Sequence, residues 1–118
     1  MSRHTFRYKA GDDILLEFVV ADQDGAPVDI TGTALRFAIA PMCSESPIIT
    51  TEESPASAIA TLIDGPTGVY QVAVDGDATQ DLVGVYRFES EVEDAQGGRS
   101  TIADGTITFT EQILRVGS

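Results

Sequence analysis

Tryptophan is absent from these 118 residues, and cysteine and histidine occur once each. One cysteine excludes an intramolecular disulfide. Cys43 stands beside Pro41 and Ser44 in a stretch that reads as loop, with no basic neighbour in sequence to activate its thiol. A single His with a single Cys is too small a ligand set for a zinc site. His4, near the N-terminus, lacks the rigid setting that a Ser/His/Asp triad requires. Basic residues are scarce as well: seven Lys and Arg against nineteen Asp and Glu leave a formal net charge of −12 and a pI near 4.1. Such a surface repels phosphates and anionic lipid, so neither nucleic acid nor membrane is an expected partner. No apolar run approaches the roughly 20 residues of a membrane span, and Met1–Phe6 has no signal-peptide character. The expectation is synthesis in the cytoplasm without export by a cleaved signal. Aromatic residues make up only 7%, which leaves little surface for stacking a sugar and weighs against a glycosidase despite the abundant carboxylates.

What is present is ordinary for one folded domain: 42% hydrophobic and 22% charged residues in a length that supports a single core. The clearest pattern is a hairpin from Gly84 to Thr110. Tyr86, Phe88, Ser90 and Val92 alternate with Arg87, Glu89, Glu91 and Glu93, the period of two that marks a strand with one wet face. Asp94–Gly98 supplies a glycine-rich turn, and the return arm ends in a second clean alternation at 106–110. Upstream, the same reasoning predicts a short strand over Thr5–Lys9 and a strong one over Ile14–Ala21. The second is apolar on both sides, as expected of a strand well inside a sheet or covered at one end. Further strands are expected with Leu35, Phe37 and Ile39 inward, over Ala58–Ile63, and with Tyr70, Val72 and Val74 inward. The proline-rich stretch 41–55 allows only an edge strand, at Ile48–Thr51. No helix of ordinary length is expected, although Asp77 has the chemistry to cap one helical turn. Ile102 has the opposite parity from Ile107 and Phe109, so a bulge is expected at Asp104-Gly105.

About seven or eight short strands with turns between them predict an all-β, antiparallel sandwich of immunoglobulin-like type. Tyr86, just after a glycine near the start of the penultimate strand, is either a tyrosine corner of that fold or a plain core tyrosine. The expected core is Leu16, Phe18, Val20, Leu35, Phe37, Ile39, Tyr70, Val72, Tyr86, Phe88, Val92, Ile107 and Phe109. Two acidic stretches imitate calcium loops. In Asp75–Asp81, Gln80 stands where an EF-hand turn needs glycine. The Asp22, Asp24 and Asp29 group is of the same kind, and solvated turn aspartates account for both more simply.

Three phrases carry a resemblance. They are Gly11-Asp12-Asp13 opening an apolar strand, Asp24-Gly25-Ala26-Pro27-Val28-Asp29-Ile30-Thr31-Gly32, and Gly84-Val85-Tyr86 followed by Asp94–Gly98. Their order resembles the immunoglobulin-like domain of tailed-bacteriophage virion proteins, typified by the N-terminal domain of the baseplate upper protein. Ile30 replaces the leucine usual there. The resemblance implies a structural virion protein in repeated copies, contacting other virion proteins, with tail or baseplate ahead of a capsid-decoration (cement) role. In that family a long C-terminal extension carries receptor binding, and this chain stops at Ser118, so that role is not expected. A calcium-assisted adhesion or carbohydrate-binding module is the alternative of another class, and an enzyme a distant third.

No catalytic residues, metal ligands or cofactor are expected. The reading is one domain over 1–118 with a short C-terminal tail, 112–118. Ile113, Leu114 and Val116 in that tail are apolar where a frayed end is usually polar, which makes them the candidate partner-binding residues.

Overall fold

The computed structural model describes residues 2–44, 46–52 and 57–111. Eight strands follow in order: β1 (Ser2–Lys9), β2 (Ile14–Val19), β3 (Ala34–Pro41), β4 (Ile49–Thr50), β5 (Ala58–Asp64), β6 (Val69–Val74), β7 (Gly84–Glu93) and β8 (Arg99–Thr110). A single helical turn, α1 (Gly76–Thr79), precedes β7. The strands form two sheets, a large one ordered β1-β8-β7-β3-β4 and a small one ordered β2-β6-β5. The chain changes sheet between β1 and β2, β2 and β3, β4 and β5, and β6 and β7. That connectivity makes an immunoglobulin-like β-sandwich.

The core is the inward face of each alternating pattern. From the small sheet come Ile14, Leu16, Phe18, Tyr70, Val72 and Val74, and from the large sheet Phe37, Ile39, Phe88, Val92, Ile107 and Phe109, all buried. Phe18 stacks on Tyr70 (5.2 Å between ring centroids), and Phe37 joins Phe18 (6.4 Å) to Phe88 (6.0 Å) across the layer. Leu35 and Tyr86 of the expected core are only partly buried and pack against its margin. Among the described residues the Tyr86 hydroxyl makes no hydrogen bond. The ring meets Phe109 edge-on at 5.7 Å, the behaviour of a core-margin tyrosine rather than a corner.

Several local expectations are corrected. β1 begins at Ser2 and runs parallel to β8, so the sandwich is not wholly antiparallel and His4 belongs to a paired strand. β2 is an edge strand: its second apolar set, Leu15 and Val19, faces solvent at 63% and 58% exposure. The cap of α1 is Asp75, whose carboxylate accepts the Asp77 N–H at 2.9 Å, and not Asp77 itself. The register of β7 against β8 shifts between Ser90↔Ala103 and Glu91↔Thr101, so the extra residue is Ile102 and not Asp104-Gly105. Inward parity then runs unbroken through Ala103, Gly105, Ile107 and Phe109. Gly105 serves a different purpose. At φ +151, any Cβ there would strike the backbone carbonyl of His4, so the glycine lets β1 lie against β8.

Candidate interaction surface

Three parts of the molecule combine polar groups in ways that bear on function. The first is inside. Tyr70 on β6 and Ser90 on β7 meet hydroxyl to hydroxyl at 2.6 Å, both fully buried. Ser90 donates onward to the Arg36 carbonyl at 3.2 Å. Tyr70 therefore donates to Ser90, and this one polar chain ties the small sheet to the large one. Burial, partly offset by the Ser90 hydrogen bond, pushes the Tyr70 phenol up to about 12. A neutral, tightly bonded hydroxyl pair with no solvent path is structural. It does not supply a nucleophile.

The second is the outer face of the large sheet. Arg36 on β3 lies opposite Glu91 on β7. Its guanidinium reaches Glu52 (2.6 Å), Glu93 (2.9 Å) and Glu91 (3.6 Å). Arg99 reaches Glu93 from β8 at 2.8 Å, and that hydrogen bond, with the neighbouring carboxylates, holds its guanidinium above the usual value. A groove of about 440 Å³ opens here between Arg36, Pro47, Glu52, Glu89, Glu91 and Arg99. Carboxylates outnumber the guanidiniums in it, so it has no spare positive charge with which to hold an anion.

The third is the outer face of the small sheet. Pairing sets Leu15 beside Ala73 and Ala73 beside Ile59, an apolar row across all three strands. Leu15 and Ile59 are 63% and 62% exposed. Val19 and Val69 continue the apolar character one layer along, and Glu17 and Gln71 lie between, joined at 3.4 Å. The turns around this sheet carry Asp12, Asp13, Asp22, Asp24 and Asp75, the end of β5 adds Asp64, and α1 adds Asp77. No lysine or arginine occurs between Lys9 and Arg36, or between Arg36 and Arg87, so the small sheet has no basic residue at all. The acidic balance of the protein is thus concentrated on one side of the sandwich, around an apolar face.

The aspartates singled out as loop ligands have defined partners. Asp22 accepts the Asp24 and Ala26 N–H groups (2.9 and 3.0 Å), Asp29 that of Thr31 (2.9 Å), and Asp94 those of Gln96 and Gly98 (3.0 and 2.8 Å). Thr31 hydrogen bonding holds the Asp29 carboxyl below its usual value. Asp13 accepts the Gly76 N–H at 2.6 Å, while buried Thr79 donates to the Asp12 carbonyl at 3.0 Å, pinning α1 onto the turn before β2. These carboxylates hold turns together. Among the described residues no group of three His, Cys, Asp or Glu side chains converges as metal ligands do. Cys43 is exposed in the turn after β3, and His4 stacks on Phe6 at 5.7 Å. The candidate partner-binding residues Ile113, Leu114 and Val116 lie outside the described residues.

Sequence reasoning set Arg36, Glu89, Glu91 and Glu93 on the outer face but could not pair them, because pairing depends on register. It missed the Tyr70–Ser90 bridge, although both residues were on inward faces. It misses the exposed row: apolar residues on both sides of β2 point to cover, whereas Leu15 and Val19 face solvent. Comparison of the sequence with protein-family models and with curated proteins finds no match.

Proposed function

We propose that this chain is a non-enzymatic structural virion protein of a tailed bacteriophage, present in repeated copies and bound to a neighbouring virion protein, in the tail or baseplate ahead of the capsid. The observation that carries the reading is the apolar row Leu15–Ala73–Ile59, exposed on a sheet whose surrounding loops are uniformly acidic. Exposed apolar surface rimmed by polar groups is characteristic of assembly surfaces. Carboxylates around it repel like copies in the wrong orientation and leave a face selective for a partner with apolar and basic groups. The phrases that resemble virion immunoglobulin-like domains all serve architecture here. Gly11–Asp13 and Asp24–Gly32 form the turns before and after β2, and Gly84–Gly98 is β7 with its hairpin turn. The test is mass spectrometry and immunogold labelling of purified particles of the encoding phage. Detection in the particle with gold on the tail is the expected outcome. Gold on the head would move the protein to capsid decoration, and absence from the particle would refute a virion role.

A further inference from the structure

We infer that the edge of β2 left unpaired among the described residues receives residues 112–118 of a second copy as an added strand, so that copies join head to tail; this rests on the assembly role proposed above. Proteins normally blunt their exposed strand edges, and three of the four edges here are blunted. β1 carries Arg7 and Lys9, β4 is two residues long and follows Pro47, and β5 has a register shift between Leu62 and Asp64. β2 has one exposed charge, Glu17, but no basic residue, no proline and no register shift. Its six residues pair regularly with β6 on one side, and no strand lies on the other among the described residues. Cover begins only past its end, where the Val28 N–H donates to the Val20 carbonyl at 3.0 Å.

The sequence Gln112-Ile113-Leu114-Arg115-Val116 matches this edge chemically. In an extended strand Ile113 and Arg115 share one face, Leu114 and Val116 the other. Set beside β2, the first face meets the outward row Leu15, Glu17 and Val19, with Arg115 opposite Glu17. Glu17 is exposed and has only Gln71 beside it on the β6 side. The second face then extends the apolar inner layer at Leu16 and Phe18. Basic charge arriving on the wholly acidic small sheet is favourable at every such contact.

The donor is a second copy because of reach. The chain leaves β8 beside Ala10, whose N–H donates to the Thr110 carbonyl at 2.9 Å. Sheets in a sandwich are about 10 Å apart and an extended residue spans about 3.3 Å. A return to the β2 edge of the same domain thus spends about three residues on the crossing. That would set Arg115 level with the first residues of β2, away from Glu17. A neighbour imposes no such offset.

The experiment is analytical ultracentrifugation of the full chain at about 0.15 M salt, where the Debye length is about 8 Å. The wild type is compared with Glu17→Lys, Arg115→Glu and the double variant. Both positions are polar and exchange one charge for another, and circular dichroism checks the fold of each. The expected result is concentration-dependent association of the wild type, weakened roughly tenfold or more by either single reversal and restored in the double. An equimolar mixture of the two single variants should also associate, since each supplies what the other lost. A wild type that stays monomeric at millimolar concentration overturns the inference, and so does association indifferent to both reversals. Those results leave particle incorporation untouched, so failure here is separable from failure of the virion role.

Discussion

Ser90→Ala should destabilise the protein more than Tyr70→Phe, although the two changes remove the same hydrogen bond. Removing the phenol oxygen leaves Ser90 still donating to the Arg36 carbonyl at 3.2 Å. The loss is then one ordinary hydrogen bond, about 1 kcal/mol net. Removing the Ser90 hydroxyl leaves the Tyr70 O–H, 0% exposed, facing apolar side chains with no acceptor. An unsatisfied buried donor costs about 2 kcal/mol, within a broad range. For a domain of this size these losses lower Tm by about 4 and 8 °C respectively. In the double variant no polar atom is stranded, so its loss should fall short of the sum of the singles by about 1 kcal/mol. Chemical denaturation of all four proteins measures this cycle. A Tyr70→Phe loss equal to or above that of Ser90→Ala, or strict additivity, would refute the account of the bridge.

Other outcomes follow from the same geometry. Phe88→Ala, at the meeting point of Phe6 and Phe37, should cost about 4 kcal/mol through lost burial and a cavity, read from denaturant midpoints. Alkaline stability follows from Tyr70. Its folded pKa of about 12 lies above the ordinary phenol value of 10.0, so its contribution is full below pH 10 and is lost as pH rises towards 12, by about 3 kcal/mol in all. Denaturation midpoints between pH 9 and 12 should show this fall, and Tyr70→Phe should reduce it. Gly105→Ala should cost about 2 kcal/mol or more and raise amide exchange in β1 above that in β7. Millimolar calcium should leave Tm unchanged, because Asp22, Asp29, Asp75 and Asp94 already accept backbone N–H groups; a rise of several degrees reversed by chelator would favour the adhesion or carbohydrate-binding class.

The fold was legible because alternation is local. Each inward set, from Leu16-Phe18 to Ile107-Phe109, could be read without knowing its neighbour, and every one is buried or packed on the core. Whatever depended on a partner strand was not legible. The position of β2 in its sheet, the parallel pairing of β1 and the site of the bulge are properties of pairs of strands. Gly105 illustrates the limit. A glycine in a strand announces either a bulge or a close approach, and only the presence of β1 across from it decides for the approach. The candidate surface was half legible for the same reason. Leu15 and Val19 were visibly apolar, but an outward apolar residue on a central strand and one on an edge look identical in sequence.

Charge placement links that surface to the direction of assembly. The basic side chains Arg7, Lys9, Arg36, Arg87 and Arg99 all stand on the large sheet, while the small sheet and its loops are acidic throughout. Two small sheets meeting face to face would bring like charges together around the apolar row, an arrangement opposed at any salt concentration low enough to leave it unscreened. A two-fold contact through that face is therefore disfavoured. In the assembly proposed above, the small sheet of one copy would instead attract a different, more basic part of its neighbour. Contacts between unlike patches are heterologous, and they close into rings or run on as filaments according to the rotation between neighbours. If copies do associate as proposed, an acidic, apolar-centred sheet beside a more basic one would favour ordered repetition over simple dimerisation.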